Sequence, residues 1–539
     1  MQSIHKKIHM KTIFTFIISL CFLSNYAQTD LPDWINGYPD GCTTITAGKK
    51  ATSDGSVYTS HTDDSHRTRS EINIAAAANH PKGSMKSMFK RIPCDSFAMP
   101  SYCYIKVGEI PEVAYTYQYI NSAYPCMNMH QLAIGESTFG GRKSLHSDKG
   151  IIDCQQLVQL MLERCTTARA AILLADSLTK TYGWNDEGEC LTIADKNEVW
   201  HFEILGPGKA NLGAIWAAQR VPDDEVGVNA NASTIKEIDL SKPDFFMASK
   251  NIYKMASDSG WWNPQTEVFR FCYAYAPESR TSIASRRREW RVFDLIAPSR
   301  KFDANAENYP FSVKPDLPLT LDKMVSLFKD YYEGTPYDMC KDITVTNDSG
   351  KTIISPLANP FMPYDMNKML RINGGWGWMG ERTIARWYTM YGTIIQCRNW
   401  LPDEIGGLAW LAFDNIATSI YVPVYAGSTD LPLSYKTPGR TKGYTNASAW
   451  WAFNRLGTLT AQRWGDMRKD VDAVWNPMQK ELFASQKKFE EDALAVFNSK
   501  NKSNTTLILT RYTMSWGEKV VKKAWDLGDF LWTKYDEKF

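Results

Sequence analysis

Gly41-Cys-Thr-Thr-Ile-Thr-Ala-Gly-Lys-Lys-Ala-Thr-Ser-Asp-Gly-Ser-Val-Tyr-Thr-Ser-His-Thr-Asp-Asp64 sets two runs rich in β-branched residues on either side of Ser53-Asp54-Gly55. β-Branched side chains suit a pleated strand, and Asp-Gly supplies a tight turn, so this segment predicts a β-hairpin. Cys42 then stands at the head of the first strand. Further along, Gly188–Leu205 repeats the pattern, with Leu191-Thr-Ile-Ala and Val199-Trp-His-Phe-Glu-Ile around Asp195-Lys-Asn197. Between the hairpins, Leu157, Leu160, Met161, Ala168, Ala171, Ile172 and Leu178 recur at helical spacing. They predict two consecutive helices within Asp153–Tyr182, or one with a break near Thr166-Thr167. Strand pairs alternating with helix pairs point to a layered α+β core.

The later chain changes character. Gly374-Gly-Trp-Gly-Trp-Met-Gly380 reads as a tight aromatic loop, packed in the core or walling a substrate site, and Ile416–Tyr425 as a strand. Ala449–Phe497 is helical with one charged face, Ser499–Asn504 a polar loop, and the remainder a final helix or strand–helix pair.

The chain has 539 residues, 61 basic and 59 acidic side chains, and 44% hydrophobic residues. That composition belongs to an ordered globular protein, and +2 of net charge draws in neither nucleic acid nor an anionic membrane. At the start, His5, Lys6, Lys7, His9 and Lys11 precede the apolar run Ile13–Leu23. Such a run is shorter than the ~20 residues a bilayer span needs and suits a secretory signal cleaved after Ala27. A lipoprotein signal on Cys21 is disfavoured, because Leu20 stands where a small residue is required. Export to the periplasm or the extracellular space is therefore expected, with no integral membrane segment once the signal is removed. Of the cysteines, ten follow the signal, dispersed and without a CxxC pair. Most read as buried small hydrophobes, and pairing cannot be deduced from spacing.

Familiar catalytic signatures fail. All eight histidines lie at or before His201, so HExxH and zinc-finger spacings are absent and no metal or cofactor is expected. Gly135-Glu-Ser-Thr-Phe139 lacks the last glycine of a nucleophile elbow. Arg286-Arg-Arg-Glu-Trp-Arg291 is a short, interrupted basic run, and no nucleic-acid partner is expected. Cys42 after Gly41 offers more. If the chain is cut between them, one residue carries a thiol and an α-amine whose ordinary pKa of about 7.7–8 lets it take the thiol proton. Nucleophile and base then come together without a histidine, and Gly41 leaves its carbonyl sterically open to self-cleavage.

Cys42-Thr-Thr-Ile, Gly48-Lys-Lys-Ala and Asp54-Gly-Ser resemble the start of the C69 dipeptidases, N-terminal-nucleophile cysteine hydrolases related to choloylglycine hydrolases and penicillin V acylases. The similarity continues in family order through Ile134–Gly141, Trp216–Asp224, Asn229-Ala-Asn231, Arg288–Phe293 and Val422–Gly427. The resemblance implies an α+β fold, the αββα four-layer sandwich, with a helical C-terminal extension. It divides the chain into a signal (1–27), a propeptide (28–41), the hydrolase domain (42–440) and the extension (441–539). It implies hydrolysis of small peptides with a free amino end through a thioester on Cys42. Asp64 would hold the amine, with Asp63 the alternative in register; Asn231 would donate to the oxyanion and Arg288 orient the centre. His61 stands where relatives often carry arginine, three residues before Asp64, and is placed with Asp63 and Glu136 at the substrate. The rivals are an amide acylase, a catalytically dead binding protein on the same fold, and a Cys–His protease using His61 or His130. A homo-oligomer is left open.

Overall fold

The computed structural model describes residues 41–94, 101–361, 381–499 and 502–538. The expected signal, the propeptide up to residue 40 and the Gly374–Gly380 loop lie outside them. Along the chain, β1 (Gly41–Ala47) and β2 (Val57–Asp64) are followed by β3 (Ala133–Gly140), β4 (Gly188–Ala194), β5 (Val199–Leu205), β6 (Val226–Asn229) and β7 (Thr389–Cys397). The longer helices are α1 (Cys154–Arg164), α2 (Ala168–Tyr182), α3 (Ile283–Ile296), α4 (Ala449–Gln462), α5 (Trp464–Asn498) and α6 (Lys502–Lys534). The fold is α+β.

Both predicted hairpins form, β1 with β2 and β4 with β5, each antiparallel. The predicted pair of helices forms too. Its first member is capped by Asp153, which accepts from Gln156 N, and its second by Thr167, which accepts from Ala170 N. Each cap side chain satisfies an amide that has no partner within its helix, and the chain breaks between them. Ile416–Tyr425 is not one strand. Asn415 accepts from Ala417 N and curls Ile416–Thr418 into a 3-10 turn, so extended chain begins only at Val422. The polar loop after Ser499 is shorter than expected, since α6 starts at Lys502.

One antiparallel sheet runs in the order Ser312–Val313, β6, β1, β2, β7, Leu408–Phe413, Val422–Tyr425. The other runs Phe246–Ala248, Ile215–Arg220, β5, β4, β3, Met127–Asn128, Tyr119–Asn121, Asn73–Ala75. They approach closely where β3 crosses β2. A Cβ on Gly135 would come 2.1 Å from the Ser60 carbonyl oxygen, so only glycine fits there. Short hydroxylated side chains line this contact and satisfy themselves on backbone: Thr59 Oγ1 donates to Thr192 O, and Ser60 Oγ donates to Ile45 O. Such pairing is what lets polar groups occupy a core without a desolvation loss.

Helices cover the outer faces. On the second sheet's side, Trp216 Nε1 donates to Asp176 of α2 at 2.8 Å. On the first sheet's side, Trp475 of α5 is buried and donates to Thr418 O, while Gln479 both accepts from Tyr421 N and donates to Tyr421 O. Arg398 at the end of β7 pairs with Glu490 of α5 at 2.8 Å. The C-terminal helices thus share one apolar core with the sheets. Cys94 and Cys103 form a disulfide, and the other eight described cysteines are free and buried, as small hydrophobes should be. No helix among the described residues is long and apolar enough to cross a membrane.

Trp475→Ala removes a buried indole and leaves the Thr418 carbonyl unpaired, so a loss of about 3–5 kcal/mol is expected, read from equilibrium urea unfolding.

Candidate active site

β1 enters the first sheet between β2 and β6, and its first two residues are held by β2. Gly41 pairs with Asp64 and Cys42 with Asp63 across β2, while Thr44 pairs with Asn229 across β6. Immediately after β6 the backbone turns at Asn231, which takes a left-handed φ of 58°, a conformation asparagine tolerates better than most residues. That turn is clamped. Its amide donates to Ser137 Oγ of the other sheet, and its carbonyl accepts from Ser285 Oγ of α3.

Asn231 meets the nucleophile candidate directly: Cys42 N donates to Asn231 Oδ1 at 3.0 Å. Arg288 Nη2 donates to the same oxygen at 2.9 Å, and Arg288 Nη1 reaches Cys42 O at 2.7 Å and Thr43 Oγ1 at 2.9 Å. A guanidinium can only donate, so the amide atom facing it must be oxygen. Asn231 Nδ2 is turned away and donates to Thr138 O. In the uncleaved chain Asn231 is therefore an acceptor for the Cys42 nitrogen, whereas the resemblance had it donating to an oxyanion. Burial, then Arg382, pulls the Arg288 guanidinium down to about 9, still a cation at neutral pH.

The thiol sits on a carboxylate. Cys42 Sγ donates to Glu136 Oε2 at 3.2 Å, and His61 Nε2 lies 3.3 Å from the same oxygen. Burial raises the thiol, and Glu136, Asp63 and Asp64 raise it further, so Cys42 is held neutral. Glu136 in turn lies against Thr138 and Glu189. Thr138 Oγ1 is 2.9 Å from a carboxylate oxygen of each, and one hydroxyl has one hydrogen, so a protonated Glu189 supplies the other. Burial and the Glu136 charge hold Glu189 well above the ordinary glutamate range. For Glu136 burial acts upward, but the neighbouring His61 ring and protonated Glu189 act downward, outweigh it and keep it ionised. The pair shares one proton.

Asp64 does not touch the Cys42 nitrogen in this state. It accepts from Arg382 Nη2 at 2.7 Å and from Thr389 Oγ1 of β7 at 2.7 Å. Arg382 also packs on Gly41, where an added Cβ would stand 1.8 Å from Nη1. The cation beside Asp64 thus comes from Arg382, while His61 serves Glu136. His130 belongs elsewhere, 3.5 Å from Asp403 and edge-on to Tyr117. The basic run on α3 is spent on structure, with Arg287 paired to Glu381 and Arg291 to Asp330. Cys42, Asp63, Asp64, His61, Glu136, Asn231 and Arg288 all gather at the head of β1. Arg382, Thr389, Thr138 and Glu189 complete the surroundings. The sequence reading missed these four as site residues: Thr138 lies inside the Ile134–Gly141 block, Glu189 and Thr389 arrive through strand pairing, and Arg382 comes from the segment before β7.

The head of β1 thus brings together a buried thiol, its own backbone nitrogen and several ionised side chains. The family model described as Peptidase family C69 matches residues 41–477. The chain belongs to peptidase family C69 and acts on peptide bonds. It is similar to "Probable dipeptidase B" of Lactococcus lactis, 25% identical over 89% of this chain and 95% of that one. "Probable dipeptidase" of Latilactobacillus sakei is 23% identical over 84% and 89%, and "Dipeptidase A" of Lactobacillus helveticus 22% identical over 78% and 81%.

Glu189→Gln tests the shared proton. A carboxyl held protonated in the fold favours folding fully below its unfolded pKa, and that contribution is lost as pH rises towards the folded value. Wild-type stability should therefore fall relative to the Gln variant as pH rises above about 4.5, whereas parallel curves from pH 4 to 9 would place the proton elsewhere.

Proposed function

We propose that this peptidase is an exported cysteine dipeptidase of the N-terminal-nucleophile kind, matured by cutting itself at Gly41–Cys42. The observation that carries the reading is the seating of the Cys42 nitrogen on Asn231 Oδ1 beside Arg288. A secondary amide there has its one hydrogen committed and no basic lone pair. Once freed, the same nitrogen keeps a hydrogen on Asn231 and turns a lone pair to the thiol.

In maturation, Sγ attacks the Gly41 carbonyl carbon, the C–N bond breaks, the thiol proton passes to the departing nitrogen, and water hydrolyses the thioester. In turnover, the free amine takes the thiol proton and Sγ attacks the dipeptide carbonyl. The leaving amine receives that proton, and water releases the first amino acid. Cys42 donates to Glu136 rather than to His61, which favours amine over imidazole as base. The two facing sheets with helices outside fit the αββα four-layer sandwich proposed for this class. The names of the relatives support dipeptides over acyl-amides, and the N-terminal pattern of basic and apolar residues supports export.

Cys42→Ala should accumulate full-length precursor and lose all measurable dipeptide hydrolysis, while wild-type protein yields Cys42 as its first residue by mass spectrometry. Active enzyme whose chain still runs through Gly41 into Cys42 would defeat the amine mechanism.

A further inference from the structure

Gly41 is more than the residue before the cut. In self-cleavage its carbonyl carbon occupies the position a substrate carbonyl must later take, so residue 41 is a template for the first residue of the substrate. Its Cα points a missing side chain straight at one group. A Cβ built there lies 1.8, 2.4 and 2.5 Å from Nη1, Cζ and Nη2 of Arg382. That guanidinium is about nine-tenths buried and uses Nη2 on Asp64, while its Nε has no hydrogen-bond partner among the described residues. Buried unpaired N–H groups are costly to leave unmade, and a ligand acceptor would relieve the cost.

A first residue with a side chain must displace the guanidinium, which sits at the far end of a flexible stem and can move. What it cannot do is leave. Asp64 anchors it, and Asp64 is itself fixed by Thr389 on β7. The displaced Arg382 therefore stays at the tip of the incoming side chain. An aliphatic side chain would bury that cation further with nothing to accept its hydrogens, and a lysine would set two cations together. A carboxylate would take the unused donors in a charge-assisted pair, for which the planar guanidinium is suited.

We infer that Arg382 selects dipeptides whose first residue is acidic, aspartate or glutamate, with glycine accepted because it reproduces Gly41. This rests on the dipeptidase reading above, and specifically on cleavage at Gly41–Cys42.

The test is a kcat/KM panel on processed enzyme with Gly-Ala, Leu-Ala, Lys-Ala, Asp-Ala and Glu-Ala. Asp-Ala and Glu-Ala should exceed Leu-Ala by about tenfold or more, the scale of one charge-assisted hydrogen bond in a buried site, with Lys-Ala lowest. The ratio of Glu-Ala to Leu-Ala, not the absolute rate, is then read in two variants. Arg382→Gln should bring it near unity and Arg382→Lys should keep it well above unity. Leu-Ala or Lys-Ala turned over as well as Glu-Ala by wild-type enzyme would overturn the selection while leaving the dipeptidase reading intact. Hydrolysis of no dipeptide at all would remove that reading and this inference with it. Should Arg382→Gln fail to fold, the wild-type panel and the lysine variant decide the matter.

Discussion

Every donor of Arg288 is used. Nε reaches Ala284 O within its own helix, Nη1 takes Cys42 O and Thr43 Oγ1, and Nη2 takes Ala230 O and Asn231 Oδ1. Five N–H groups in one rigid plane, all satisfied, fasten α3, the head of β1 and the turn after β6 to a common point. A lysine there would present a single flexible head with three donors and could not span the same set. Burying a cation is expensive unless its hydrogen bonds are complete, so the completeness is what makes this position tenable. The placement of the Cys42 nitrogen follows from it, because Asn231 is oriented by the same guanidinium.

The surroundings of Cys42 hold its thiol in the protonated form. Cys42 faces an ionised Glu136, with further negative charge at Asp63 and Asp64, and each of these favours the protonated form. A nucleophile activated by lowering its own pKa would need the opposite surroundings. On the reading proposed above, activation for turnover comes from a base brought to the thiol, and an uncleaved amide nitrogen has no basic lone pair to serve. On that same reading the uncut thiol has only the Gly41 carbonyl beside it to attack, and freeing the nitrogen adds a base for turnover without rearrangement of the side chains around it.

Much of the scaffold was legible in local pattern. Asp54-Gly55 between Thr-rich runs and the spacing from Leu157 to Leu178 are short-range signals, and the hairpin and helices they predict are present. Ile416–Tyr425 misled because its apolar run hides the Asn415 side chain, which bends the chain before a strand can start. Around Cys42 the seven residues named by the family likeness lie together, and in the uncleaved chain it is the amide oxygen of Asn231 that faces the Cys42 nitrogen. Asn231 is an acceptor because Arg288 faces it, and no spacing in the sequence encodes that orientation. Arg382 was invisible for a related reason. It lies more than three hundred residues from Asp64 and has no motif, so only the sheet order, which sets β7 beside β2, accounts for its arrival.

The polar lining between the sheets explains how one thiol can be served from both. Large aliphatic side chains would hold two packed sheets about 10 Å apart. Here Gly135 lies against the Ser60 carbonyl, and Thr59 reaches Thr192 backbone across the interface. At that close approach Glu136 of β3 spans the gap to Cys42 of β1 and His61 of β2. Enlarging the small residues would restore an ordinary apolar interface and would also withdraw the carboxylate from the sulfur. The hydroxyl-rich runs that mark β1 and β2 in the sequence are therefore tied to the site as well as to the strands.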